Sequence, residues 1–420
     1  MNRRDLFLFV GQGAVSGFAA SAFGKSDRVA QKPQALPEAL EQRVASVLQQ
    51  YDAQGNHRTG TEVDNASATW LAGLARHFGA EVALEDFPHS RIDPQSCCLR
   101  IGGRRIDGVP VFDGSFTRAE GVHGKLGPLG SDAEIGLVES EPAKLSDPGI
   151  EQRDQVLTAR RSSHKAVVVL TRGLRRGLYL LNAGDFRKPF GPPMLQLSSS
   201  ESEWLRELAA ARAEATIVVQ VKRVFARAFN VMAKIAGSDG ALGPLVFMAP
   251  RSAWWQSVTE QGSRLVCWLE AIRTLAASKP ARGCLFVALS GHEVGLLGMD
   301  PYIERRPDLT RRAHAWIFFG SGLGAPRQPN LLHASDDVLE RWAVAALEQE
   351  GLTVDAKVPA SSRARSEVGR VQETGGRFLT FASDSEVYHN VADRWPEAVD
   401  IALLGRYARA FARGALQLAG

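Results

Sequence analysis

The chain has 420 residues, 45% of them hydrophobic and 23% charged, with a formal net charge of +4. These values exclude a disordered, collagen-like or polytopic membrane chain, and basic residues scattered among acids exclude a nucleic-acid footprint. Four cysteines are too few for a disulfide scaffold, no Cys/His array reads as a structural zinc site, and the length suits two domains or one large one.

At the start, Arg3-Arg4 precede an apolar run through Ala20, and Ala20-Ser21-Ala22 offers a small-x-small cleavage pattern. The adjacent arginines resemble a twin-arginine export signal; an ordinary secretory signal would also read this way. The run is short and interrupted, and no later stretch approaches about eighteen uninterrupted apolar residues. The expectation is an export signal at residues 1–22. The mature protein should then be soluble and periplasmic or extracellular, with no membrane span beyond the signal.

Helical patterns follow at about Pro37–Tyr51 and Ala66–Phe78, the second capped by Thr61 and stopped by Gly79. Glu81–Glu85 reads as a strand. From about residue 94 to 225 the texture changes to short strands and turns, including Lys165–Leu170, Met194–Leu197 and Thr216–Val221, with a helix at Glu201–Arg212. Beyond that, strand candidates Phe229–Ile235, Pro244–Ala249, Gly283–Ser290, His314–Phe319 and Arg377–Ala382 alternate with helices in the α/β manner. Leu339, Trp342, Ala343, Ala346 and Leu347 line one face of one such helix. Val399, Leu403, Tyr407 and Phe411 line another.

Particular residues carry a family resemblance. Asn230–Gly237, Phe286–Gly298 with its Gly-His-Glu-Val-Gly-Leu-Leu-Gly turn, Tyr388-His389-Asn390-Val391-Ala392-Asp393 and His57–Thr61 follow the order of motifs in the M28 zinc aminopeptidases. Lys165–Leu170, Arg172-Gly173, Asn182–Gly184 and Pro193–Leu195 resemble a protease-associated (PA) domain. The resemblance implies an α/β fold with a mixed, mostly parallel sheet flanked by helices and a small β-rich insert. The expected division is residues 35–93 and 226–420 for the peptidase-like body and 94–225 for the insert.

The resemblance also implies two metal ions held by His, Asp and Glu side chains, and here the set is incomplete. Pro250 stands at the first His and Ser252 at the Asp that follows it. Glu260 stands at the bridging Asp, and His292 at the Glu that serves as general base. Glu293 and His389 are retained as ligands, and Tyr388 beside His389 is carried over as a substrate-side residue. The late Asp falls at Phe318 or Phe319. One metal site is thereby lost, and the other keeps Glu260, Glu293 and His389, the usual number of protein ligands for a catalytic zinc. The competing readings are a carboxylate bonded to loop amides for Glu293, a satisfied core imidazole for His389, and a helix N-terminal carboxylate for Glu260.

A His at the base position changes reach and charge, and a lost general base typically costs about 10²–10⁴-fold in rate. The favoured reading is an exported, catalytically inactive pseudo-aminopeptidase with a binding or scaffolding role, its ligand a peptide, another protein or an envelope component, and with no metal. The alternative is a weak mononuclear zinc hydrolase on Glu260, Glu293 and His389 with His292 as base. Two further expectations concern the cleft. Arg264, one turn after Glu260, should fill volume left by a metal and pair with Glu260 and Glu293. Trp254 and Trp255 should fill or reshape the substrate loop. Arg172, Arg175 and Arg176 read as a solvated edge of the insert, and Cys267 and Cys284 as buried small apolar side chains.

Overall fold

A computed structural model describes residues 36–141, 153–326 and 328–420. The expected export signal lies outside them. No helix of the described residues is long and apolar enough to cross a membrane.

Helices α1 (Leu40–Gln54) and α2 (Glu62–His77) lead into a long strand, β1 (Glu81–Ile101). The short strands β2 (Arg104–Asp107), β3 (Val109–Pro110), β4 (Val122–Pro128) and β5 (Ile135–Ser140) follow. Then come α3 (Arg153–Arg160), β6 (Ala166–Thr171), β7 (Met194–Leu197) and α4 (Ser202–Ala210). A second long strand, β8 (Glu214–Ile235), returns the chain to the body. There β9 (Leu245–Pro250), α5 (Ser263–Ser278), β10 (Cys284–Leu289), α6 (Met299–Glu304), α7 (Leu309–Arg312) and β11 (Ala315–Phe319) succeed one another. The chain closes with β12 (Asn330–Ala334), α8 (Asp337–Glu348), β13 (Ala356–Val358), α9 (Ser366–Glu373), β14 (Phe378–Ser383) and α10 (Ile401–Ala419).

In the body the strand order is β13-β12-β14-β11-β9-β10-β8. β14, β11, β9 and β10 are mutually parallel, whereas β12 runs antiparallel to β14 and β8 to β10. Every residue of Leu245–Pro250 and Ala315–Phe319 is buried, as expected for strands covered on both faces. One face packs Phe247, Phe286 and Phe319 against α1, α2, α5, α8 and α10. The other packs Met248, Trp316 and Phe378 against Met299, Tyr302, Leu309 and Val368 of α6, α7 and α9. This is the mixed, mostly parallel α/β architecture expected from the sequence. Thr61 caps α2 as expected, its hydroxyl accepting from the Asp64 amide at 3.2 Å.

The connection to the insert differs from the expectation. Thr216–Val221 and Phe229–Ile235 belong to one strand, β8, and Glu81–Glu85 is only the start of β1. The two long strands pair antiparallel from Glu81↔Lys234 to Ile101↔Ala215, with an irregularity between Pro94 and Ser96. Positions 94 and 225 therefore fall inside strands rather than in linkers. The sequence hides this because Lys222–Arg227 is charged and partly exposed, which interrupts the apolar pattern that marks a buried strand. At the far end of the ribbon, β4, β5, β6 and β7 form a parallel array. Its core is Leu126, Ile135, Val168, Leu195, Leu205 and Ile217. All four cysteines are buried and free.

Between α2 and the end of β9 lies a fully buried ion pair. Arg251 Nη1 donates to Asp64 Oδ1 at 2.7 Å, and both side chains are 0% exposed. Asp64 also accepts from the Gly60 amide and the Ser290 hydroxyl, and Arg251 reaches the carbonyls of Asp64 and Phe229. Breaking such a pair leaves an uncompensated buried charge. Asp64→Ala is expected to lower stability by about 3–5 kcal/mol in urea denaturation. Adding Arg251→Met should restore part of the loss; a double variant less stable than Asp64→Ala would refute that assignment.

Candidate functional site

In parallel α/β sheets the crevice at the carboxyl ends of the strands is where ligands bind. Here that crevice is formed by the ends of β9, β10, β11 and β14. The loop after β9 carries Arg251–Trp255, the loop after β10 carries His292 and Glu293, and the loop after β14 carries Tyr388 and His389. Asn230 of β8 fixes the loop after β10: its Oδ1 accepts from the Ser290 amide at 3.1 Å, and its Nδ2 donates to the Gly298 carbonyl at 2.8 Å. Gly291 turns this loop at φ +93°, and a Cβ there would come within 2.9 Å of Leu297 Cβ. Glu260 enters on a π-helical turn, Val258–Gly262, that opens α5. Asp393 caps that turn, accepting from the Thr259 amide at 2.8 Å and the Glu260 amide at 3.0 Å. Irregular turns of this kind recur at functional sites.

Glu293 is fully buried and its two oxygens are engaged by neutral donors. Oε1 accepts from the Thr59 amide at 2.7 Å and the Thr59 hydroxyl at 2.6 Å, and Oε2 from the Ser252 hydroxyl at 2.7 Å. Burial outweighs these bonds and holds the carboxyl above its ordinary value. The Ser252 oxygen in turn accepts from the amides of Gly291 at 2.8 Å and His292 at 3.3 Å. The residue at the expected second Asp thus binds the retained Glu to its own loop.

His292 faces away from Glu293 and toward α9. Its Nδ1 lies 3.0 Å from Glu367 Oε1 and 3.2 Å from Oε2, and Glu367 is 1% exposed. Burial alone would push His292 down and Glu367 up. The mutual charge and hydrogen bond reverse both directions, so His292 is raised and Glu367 lowered. Ser366 also donates to Glu367.

Glu260 accepts from the Ser257 hydroxyl and the Gln261 amide, each at 3.1 Å. His389 Nε2 stands 3.5 Å from Glu260 Oε1, a charge contact at the outer edge of hydrogen-bond reach. Burial pushes Glu260 up, but the charge and hydrogen-bonding contributions of His389, followed by those of His292 and Arg264, prevail and bring it down to about 2. Tyr388, half-buried, stacks on the His389 ring at 4.0 Å. Arg264 is buried, as expected, yet it makes no hydrogen bond to Glu260 or Glu293. Its guanidinium lies 5.5 Å from the centre of the Phe318 ring, within the field of Glu260 and Glu367. Glu293 was the wrong partner for it because Thr59 and Ser252 already satisfy that carboxylate.

The structure therefore brings Glu260 to His389 but does not gather Glu260, Glu293 and His389 as one ligand set. Among the described residues no group of three His, Cys, Asp or Glu side chains is placed to hold a metal ion. The zinc that the sequence resemblance implies does not fit the donors present. The retained Glu has both oxygens engaged, and the base position is tied to Glu367. Sequence reasoning missed Glu367 and Thr59 as partners. Glu367 lies in no motif and reaches His292 across 75 positions.

The mouth of the crevice is filled. Trp254 and Trp255 are 2% and 1% exposed and pack with Phe112, Leu180, Ala183, Phe186, Val294 and Leu297. A strap from the insert runs across them. Leu180 N donates to the His389 carbonyl at 3.1 Å, Ala183 N to the Glu293 carbonyl at 2.8 Å, and Trp254 Nε1 to Asn182 Oδ1 at 3.1 Å. The three arginines at the edge of the insert, Arg172, Arg175 and Arg176, are exposed, each with an acid within 4.0 Å. Ser252→Ala removes a donor to Glu293 and an acceptor for two amides. It is expected to cost about 1–3 kcal/mol in chemical denaturation; an unchanged midpoint would refute the role given to Ser252.

The family model described as Peptidase family M28 matches residues 243–415. No curated protein matches the sequence. Among solved structures, the zinc aminopeptidase BSAP of Bacillus subtilis is 17% identical with a TM-score of 0.72, over 91% of this chain and 96% of that one. A peptidase M28 precursor from Shewanella amazonensis is 15% identical with a TM-score of 0.74, over 91% and 95%. An aminopeptidase from Aneurinibacillus is 16% identical with a TM-score of 0.65, over 90% and 93%. The chain has the fold of the zinc aminopeptidases, and its residues 243–415 are similar to peptidase family M28.

Proposed function

We propose that this chain is an exported pseudo-aminopeptidase that binds a peptide or protein rather than cleaving it. The observation that carries this reading is the engagement of Glu293. An amide and two hydroxyls take three of the roughly four lone-pair positions of that carboxylate, so it could chelate a metal only by giving up partners. Three further observations support it. His292 is paired with Glu367, which takes up the imidazole at Nδ1. Pro250 and Phe318 offer no donor at the ends of β9 and β11. Trp254, Trp255 and the strap occupy the space a substrate would need. The PA-like reading of the insert and the export signal at residues 1–22 belong to the same proposal. They rest on the sequence patterns described above.

A second reading keeps one zinc on Glu260, Glu293 and His389 with His292 as base. The proximity of Glu260 and His389 favours it. It requires Glu293 to exchange Thr59 and Ser252 for a metal, and His292 to act while bound to Glu367.

Metal analysis of the mature protein purified from the exported fraction separates the two. The expected result is no stoichiometric zinc, no cleavage of aminoacyl-nitroanilides and no change of melting temperature with a chelator. One zinc per chain, lost in His389→Ala, would overturn the proposal in favour of the second reading.

A further inference from the structure

The strap between Leu178 and Phe186 touches the insert and the crevice with opposite faces. On the insert side, Leu181 shares a core cluster with Val111, Val138, Val169 and Met194, and its amide donates to Gln196 Oε1 at 2.7 Å. The Asp185 amide donates to Asp113 Oδ2, and Arg160 donates to the carboxylates of both. On the crevice side, Leu180, Ala183 and Phe186 pack with Trp254, Trp255 and Leu297. The switch of face from Leu180 to Leu181 is that of an extended segment laid between two layers.

The strap's backbone pairs with the crevice in the manner of a bound peptide. Tyr179 faces Asn390 in an antiparallel bridge. On one side of it the Leu180 amide donates to the His389 carbonyl at 3.1 Å, and on the other the Val391 amide donates to the Leu178 carbonyl at 3.3 Å. Further along, the Ala183 amide donates to the Glu293 carbonyl at 2.8 Å, and the Asn182 side chain accepts from Trp254 Nε1 at 3.1 Å. Gly295 admits this close approach, since a Cβ there would stand 3.1 Å from the Gly184 carbonyl oxygen and 3.3 Å from that of Ala183. The strap thus draws its partners from the loops after β9, β10 and β14, which shape the crevice. Its backbone bonds require no particular side chain. Pairing of this kind takes its affinity from main-chain bonds and its selectivity from the side chains seated beside them.

We propose that the strap is an autoinhibitory segment, the built-in occupant of a site for an extended peptide with a leucine-sized side chain at the position of Leu180. The inference deepens the peptide-binding reading given above and rests on it. The external peptide takes over the antiparallel pairing with His389–Val391 and the apolar seat beside Trp254 and Trp255. The strap withdraws with the insert, which holds Leu181 and Asp185. Apparent affinity is then reduced by the small fraction of molecules whose strap is away, and a change that weakens only the strap's own contacts raises it.

The mature protein and a labelled, end-blocked peptide Gly-Leu-Tyr-Leu-Leu-Asn-Ala-Gly, the sequence of residues 177–184, test this by fluorescence anisotropy. A control peptide carries aspartate in place of the leucine that corresponds to Leu180. The first peptide should bind and the control should not. Asn182→Ala removes the strap's bond to Trp254 and should tighten peptide binding about two- to tenfold, the equivalent of one hydrogen bond. Tyr179→Cys with Asn390→Cys locks the strap, because residues facing each other across a non-hydrogen-bonded antiparallel pair have Cα atoms about 4.5 Å apart, within disulfide reach. This variant should bind the peptide when reduced and not when oxidised. If it does not fold by circular dichroism, Asn182→Ala decides the matter alone. No binding to wild type or Asn182→Ala overturns the proposal, as does equal affinity for the two proteins or undiminished binding to the oxidised lock. Equal binding of both peptides overturns the leucine assignment. Cleavage of the peptide by the reduced but not the oxidised form would sink the pseudo-enzyme reading and leave the strap's role standing. A metal-free, non-cleaving protein that ignores the peptide would sink this inference alone.

Discussion

Asp64, Glu260, Glu293, Glu367 and Asp393 are all buried around the carboxyl ends of the central strands. A carboxylate removed from water must be given donors or a cation. Each receives a different answer. Asp64 has the Arg251 guanidinium, Glu367 has His292, and Glu260 has three bases, His389 foremost. Glu293 has Thr59 and Ser252. Asp393 has backbone amides of the turn it caps, and burial still holds it up to about 7. The loops that shape the crevice are held by these carboxylates, so the local architecture and the charge arrangement are one problem with one solution.

That solution explains how a crevice in the usual place for ligands has a chemistry unlike the one its fold suggests. The strand ends still deliver side chains to a common point, because strand order and register fix where loops emerge. What arrives there is Ser252, Phe318 and His292, and Arg264 reaches the same end of the sheet from α5. Ser252 is short enough to sit against Glu293 and accept the amides of the adjoining loop. Phe318 offers a ring face to Arg264. Such neighbours make Glu293 a bracket between loops.

Much of the fold was legible in the sequence, because continuous apolar runs such as Leu245–Ala249 and Phe286–Leu289 mark strands buried on both faces. Thr61 as a cap and the amphipathic face of α10 were legible for equally local reasons. The long ribbon was not, because the middle of β8, Lys222–Arg227, is charged and partly exposed and so breaks the apolar pattern. In the crevice, Pro250, Ser252 and His292 could be placed at the strand ends directly from the spacing of the motifs. Their partners could not. That Glu293 would take Thr59, and His292 would take Glu367, depends on segments brought together only by the tertiary fold. Arg264 was foreseen as buried, but its partner was misjudged, since a sequence does not say which acceptors are already taken.

The ribbon of β1 and β8 has one more implication. The insert is joined to the body by paired, continuous strands and again by the strap between Leu178 and Phe186, so it is not a bead on a tether. Excising it would cut hydrogen-bonded backbone on both strands and uncover Trp254 and Trp255. The insert and body should therefore melt as a single cooperative unit. An evolutionary exchange of one insert for another would have to preserve strand register as well as loop length.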